Sequence, residues 1–168
     1  RKKRKQKAFS RWEAAVEAGD MAAAKKLGPQ TAEYTPEMVA ETKRLFELLG
    51  VTWIEAPMEA EGAAAVRCAR GEVGAVSSQD WDTLLYGAPV MVRNLTSHGT
   101  RRFGRVLRAE RIVLADTLAK HDIIHEQLVD LGIMIGTDFH PGIRGIGPKT
   151  GLKLIREHGT LEAVAEAK

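Results

Sequence analysis

The chain has a single cysteine, Cys68. One thiol excludes an internal disulfide framework and a four-cysteine zinc site, and is expected as a small buried side chain in a reducing compartment. Aromatic residues make up only 5% of the sequence. Trp12, Trp53 and Trp81 are expected at core or hinge positions rather than as base-stacking platforms, although Trp81, standing between two acids, is open to either role. No apolar run is long enough to span a bilayer, no secretory signal pattern precedes the first helical stretch, and no internal repeat is visible. The chain therefore reads as soluble and intracellular, with no membrane partner. Its 168 residues suffice for a domain with a real core.

Charge is modest in sum and uneven in placement. The net charge is +3 and the sequence pI about 9.1, weak support by itself for a polyanionic partner. The run Arg1-Lys2-Lys3-Arg4-Lys5-Gln6-Lys7 is nearly all basic, and Arg101, Arg102, Arg105, Arg108 and Arg111 form a second patch. Taken alone, the first run reads equally well as a solvated or disordered segment.

The opening third predicts helices. One covers about Ala8 to Ala18 and ends at Gly19. A second, short helix is capped by Asp20, passes through Ala24 to Leu27 and stops at Gly28-Pro29. This pair has few large apolar side chains and is expected to project from the core and to be mobile. Thr35 is a good N-cap with Pro36 at the first helical position, and Val39, Thr42, Leu45, Phe46 and Leu49 fall on one face before Gly50 closes the helix.

From Val51 onward the pattern alternates. Strands are predicted at Val51–Glu55, Val73–Ser77 and Pro89–Leu95, separated by a helix from about Pro57 to Arg70 and a short one ending at Tyr86. Such alternation predicts an α/β fold with a parallel sheet. Ser97 to Arg111 reads as a loop with a short strand near Arg105 to Leu107. Helices are then predicted over Ile123–Ile135, Pro148–Glu157 with Gly159 past its end, and Leu161–Ala167.

The chemistry lies in acids at strand ends. Glu59 and Glu61 follow one predicted strand, and Asp80 and Asp82 the next. Ligand sites in open α/β sheets sit beyond the carboxyl ends of strands. Carboxylates gathered among apolar residues need a cation between them, and a hard ion such as Mg²⁺ suits an oxygen-only donor set. Glu59 and Glu61 would diverge on a regular helix, but at a first turn both could face the sheet end. Asp80 and Asp82, two apart after a strand, could share a face. A fifth acid, Asp138, precedes the glycine-rich turn Gly145-Ile146-Gly147-Pro148-Lys149. Any one of these acids alone reads as a surface residue or a helix cap; the set reads as a metal site acting on a phosphodiester.

Three stretches carry a family resemblance. Glu55-Ala56-Pro57-Met58-Glu59-Ala60-Glu61-Gly62-Ala63 resembles the acidic signature that opens the internal conserved region of flap endonucleases. The stretch from Ser78 through Asp80-Trp81-Asp82 to Pro89, followed by Val92-Arg93-Asn94-Leu95-Thr96, is similar to the same family in an archaeal style. Gly136-Thr137-Asp138-Phe139 with Gly142-Ile143-Arg144-Gly145-Ile146-Gly147-Pro148-Lys149 completes the match. The resemblance runs from the first residues to about Gly159.

It implies a parallel-sheet 5′-nuclease core, PIN-like, with a partial helical arch at residues 1–34, the α/β nuclease core at 35–122 and a helix-hairpin DNA-binding region at 123–168. Glu59, Glu61, Asp80, Asp82 and Asp138 become catalytic metal-site residues for two divalent ions, Mg²⁺ with Mn²⁺ able to stand in. The implied activity is cleavage of DNA at the base of a 5′ flap, together with 5′→3′ exonuclease action, in replication and repair in the cytoplasm of an archaeal cell. DNA with a 5′ flap or nick is the implied substrate. Arg1, Arg93, Gly145, Gly147 and Lys149 are the implied DNA contacts, because glycines admit a phosphate to the backbone and a helix N-terminus with Lys149 meets its charge.

The family also supplies two aspartates from strands preceding the arch, while these residues begin inside it. One metal site is expected to lack ligands, the sheet to lack central strands, and cleavage by these residues alone to be weak or absent. By the same resemblance, the segment that commonly binds the sliding clamp is expected beyond these residues.

Three rival readings stand beside this one. A non-catalytic DNA-binding module would use only the hairpin turn and the basic arch. A relative in the same superfamily would act on bubble or gapped substrates. His121-Asp122-Ile123-Ile124-His125 superficially resembles a two-histidine zinc helix, but it has Asp where that pattern needs Glu and no third ligand.

Overall fold

The computed structural model describes residues 2–31, 35–102, 104–137 and 139–167. They fall into two compact units, Arg1–Ile54 and Glu55–Lys168.

The first unit is helical. Helix α1 (Lys2–Glu17) starts earlier than its apolar spacing predicts and turns at Gly19, whose φ is +70°. Asp20 then caps α2 (Met21–Thr31) by accepting a 2.9 Å hydrogen bond from the Ala23 N–H. Contrary to expectation, Gly28-Pro29 does not stop this helix. The proline removes one N–H from the ladder, but the chain keeps its helical path and the Thr31 hydroxyl donates to the Gly28 carbonyl at 2.8 Å. The two helices pack on each other around Ala24, and the Phe9 and Trp12 rings lie 5.8 Å apart.

Helix α3 (Pro36–Leu48) begins as predicted. Thr35 is extended, and its hydroxyl accepts from the Met38 N–H at 3.3 Å. The Glu37 carboxyl is held below its ordinary value, first by a hydrogen bond from its own backbone N–H and then by the Thr35 hydroxyl. Gly50 ends the helix at φ +67°. The predicted apolar stripe is present but uncovered among the described residues, with Val39, Leu45 and Leu49 all exposed. Val51–Glu55 is not a strand. Ladder hydrogen bonds need a neighbouring strand, and none of the described residues pairs with this stretch.

The second unit mixes helix and sheet. Helix α4 (Ala60–Ala69) is followed by β1 (Val76–Ser77), α5 (Asp82–Leu85), β2 (Val90–Arg93), the ribbon β3 (Arg101–Arg102) and β4 (Arg105–Val106), and β5 (Glu110–Val113). The main sheet has the order β1-β2-β5. β1 and β2 are parallel, with Val76 opposite Met91, as the α/β alternation predicts. β5 runs antiparallel to β2, with Val90 opposite Val113, so the sheet is mixed rather than wholly parallel. β1 is also shorter than predicted, because Val73 is exposed and makes no ladder. The alanine-rich face of α4 packs as expected: Ala65 and Cys68 are buried against Val76 and Ala88.

Helices α6 (Leu114–His121), α7 (His125–Ile135), α8 (Pro148–His158) and α9 (Leu161–Glu166) complete the unit. Their core is Ile123, Met134, Ile146, Ile155 and Val164. A Cβ at Gly151 would stand 2.7 Å from Leu131 Cδ1, so the absence of a side chain lets α7 and α8 approach closely. Gln127 donates from its side chain to the Gly159 carbonyl, and the Asp130 carboxylate accepts from the Leu161 N–H, both at 3.0 Å. These two bonds tie the ends of α8 and α9 to α7.

Candidate active site

Two short helices aim the central acids. Glu59 is the N-cap of α4, with φ −78° and ψ 132°, and its side chain makes no capping bond. Because its backbone has left the helix, it escapes the divergence that two-residue spacing imposes inside one. Glu61 lies in the first turn and is half-buried. Both stand at the positive end of α4.

The second pair follows β1. The Ser78 N–H donates to the Val92 carbonyl at 3.2 Å, and the Ser78 hydroxyl accepts from the Asp80 N–H at 3.0 Å. Asp80 is exposed, while Asp82 opens α5 and is half-buried. A turn into a helix, rather than strand alternation, therefore sets their relation. Helix α5 is short but held at its far end. His125 Nε2–H donates to the Leu84 carbonyl at 3.1 Å, and its ring faces Gly87, where a Cβ would stand 3.4 Å from Cε1.

Tyr86, the C-cap of α5, is where the two pairs meet. Its N–H donates to the Asp82 carbonyl at 2.9 Å, and a Cβ added at Gly62 of α4 would stand 3.4 Å from two of its ring carbons. Its phenol is held above the ordinary value, first by loss of solvent and then by the negative charges of Glu59, Asp82 and Glu61. Three of the four described acids thus act on one hydroxyl. Sequence reasoning missed this residue, although Asp82 and Tyr86, four apart, share a helix face.

Trp81 is half-exposed rather than a core residue. The Arg93 guanidinium sits 4.2 Å from its ring centroid, within cation–π range. Arg93 Nε is enclosed and has no hydrogen-bond partner among the described residues. This stack puts a cation beside the Asp80–Asp82 turn.

The remaining predicted residues lie elsewhere. Gly145 has φ +86°, Gly147 is the extended N-cap of α8, and Lys149 is exposed in that helix's first turn. Asp138 and Arg1 lie outside the described residues. The zinc alternative does not survive: His121 ends α6, Asp122 is left-handed at φ 51°, and His125 begins α7, so the two histidines share no helix.

The donor set suits a hard divalent ion, being all carboxylate and open to water. Mg²⁺ keeps several waters and is commonly held by one or two carboxylates. Among the described residues no three metal-capable side chains form a cluster, so these acids are not gathered into a closed cage.

The fold is that of the 5′-nuclease structures it matches. The structure is similar to flap endonuclease-1 from Methanococcus jannaschii, at 37% identity and a TM-score of 0.71, covering 92% of this chain and 47% of that one. It is also similar to the catalytic core of Rad2 in complex with a DNA substrate, at 25% identity and a TM-score of 0.70, covering 80% and 43%. Flap endonuclease 1 of Ignicoccus hospitalis is 44% identical over 172 residues, covering 99% of this chain and 49% of that protein. Residues 50–138 match the XPG I-region model, and the chain belongs to that family. It spans about half the length of the curated relatives it matches.

Proposed function

We propose that this chain carries the central part of a structure-specific 5′ nuclease that hydrolyses a phosphodiester of DNA bearing a 5′ flap or nick. The supporting observation is the packing of α4 against α5 through the Tyr86 ring at Gly62, which brings the helix turn of Glu59 and Glu61 to the one that begins at Asp82. Glu59, Glu61, Asp80 and Asp82, with Asp138, would hold Mg²⁺ or Mn²⁺. A divalent ion so bound supplies activation of water and neutralisation of the leaving oxygen.

The chain's own groups position the substrate. Arg93, seated on Trp81, presents positive charge beside the acids, where a phosphate would otherwise be repelled. The Gly145–Gly147 turn and Lys149 lead into the N-terminus of α8, which suits a backbone phosphate without reading sequence. Arg1 and the basic run would meet the single strand. No helix among the described residues is long and apolar enough to cross a membrane. A sliding clamp as partner of the full-length family, and the cytoplasm of an archaeal cell as location, follow from the family reading alone.

A second reading is a non-catalytic DNA-binding module, in which the Gly145–Gly147 turn and Lys149 at the N-terminus of α8 would meet backbone phosphate without the acids. One experiment separates the two. A 5′-flap oligonucleotide is titrated with this chain in Mg²⁺ and in EDTA, for the parent and for Asp80→Ala. The nuclease reading expects tighter flap binding or incision in Mg²⁺ that Asp80→Ala removes. Binding indifferent to both the ion and the substitution supports the module instead.

A further inference from the structure

Tyr86 lines a cleft that Glu59 also borders, and the proposed reaction gives it no part. The cleft, of about 460 Å³, is lined by Glu59, Gly62, Val66 and Tyr86 among others. On one side the ring packs at Gly62, one residue after Glu61, where an added Cβ would stand 3.4 Å from its Cδ1 and Cε1. On the other, its backbone closes the single turn of α5 that begins at Asp82. Helices α4 and α5 pack together at this point. The ring is therefore the spacer between the helix turn that carries Glu59 and Glu61 and the one that carries Asp82.

We propose that Tyr86 is a positioning residue of the metal site, its ring on Gly62 fixing the separation of the two carboxylate pairs. This rests on the reading of those acids as ion ligands. Gly62 is the complementary half of the device, because a larger side chain there would occupy the seat of the ring. A carboxylate pair spaced by a rigid ring keeps one arrangement for its ion. Without the ring, α4 and α5 are free to settle closer or apart, and the ion finds its oxygens displaced.

The test is Mn²⁺ alone added to the full chain, with free ion followed by electron paramagnetic resonance and fold by near-ultraviolet circular dichroism. Loss of groups that orient metal ligands typically costs about tenfold or more in affinity, and that is the drop expected for Tyr86→Ala and for Gly62→Leu. Tyr86→Phe, which keeps the ring, is expected to stay within about threefold of the parent, a span of roughly 0.7 kcal/mol. Tyr86→Leu replaces Tyr86→Ala in the comparison if the alanine variant does not fold. A folded Tyr86→Ala or Tyr86→Leu chain with parental affinity overturns the proposal. So does a Tyr86→Phe chain that falls as far as Tyr86→Ala, because that assigns the effect to the hydroxyl. A parent chain that takes up no Mn²⁺ instead overturns the metal-site reading on which the proposal rests.

Discussion

Tyr86 reports the field of the acids around it. Two tyrosines are present in the chain, Tyr34 and Tyr86, so a Tyr34→Phe background isolates the phenol in a spectrophotometric titration. Burial and three neighbouring carboxylates both disfavour the phenolate, which places its ionisation above the ordinary value of about 10. Removing one charge by Glu61→Gln is expected to bring that ionisation down part of the way, leaving the contributions of lost solvent, Glu59 and Asp82. An unchanged titration would show that Glu61 does not face the hydroxyl. Residue-level reading of the sequence singled out the carboxylates as acids after strand ends, a local pattern that the structure keeps for Asp80 and Asp82 after β1 but not for Glu59 and Glu61, which follow no strand. It did not find Tyr86, or the stack of Arg93 on Trp81, because both depend on how α4, α5 and β2 sit together.

Elements with local punctuation were legible. Thr35-Pro36 and Gly50 bracket α3, Gly147-Pro148 and Gly159 bracket α8, and both helices lie where their caps place them. Elements defined by distant partners were not. β5 and α6 carry no strong start or stop residues and were missed, while Val51–Glu55 has strand composition but no neighbour to pair with among the described residues. The turn from α7 to α8 shows what glycine contributes here. Gly142 has φ +75°, and a Cβ there would overlap the backbone carbonyl of Ile135. Gly142→Ala is expected to destabilise the chain by about 1–3 kcal/mol, combining left-handed strain with a clash against backbone. Urea denaturation measures this directly, and a loss below a few tenths of a kcal/mol would mean that the loop relaxes freely.

At the scale of the whole molecule, the described residues form a helical unit and an α/β unit, and Glu59, Glu61, Asp80 and Asp82 belong to the second. The resemblance located the family and the acidic segments, and residues 50–138 match the XPG I-region model. The sheet differs from expectation in being mixed, because β5 returns alongside β2 through the arginine-bearing β3–β4 ribbon. Function at this scale depends on whether the acids act together on one ion. The direct measurement is a calorimetric Mn²⁺ titration of the folded chain against its Asp80→Ala/Asp82→Ala variant. Saturable binding by the parent that the double variant loses is the predicted result; equal binding by both chains, or heat from neither, would contradict it.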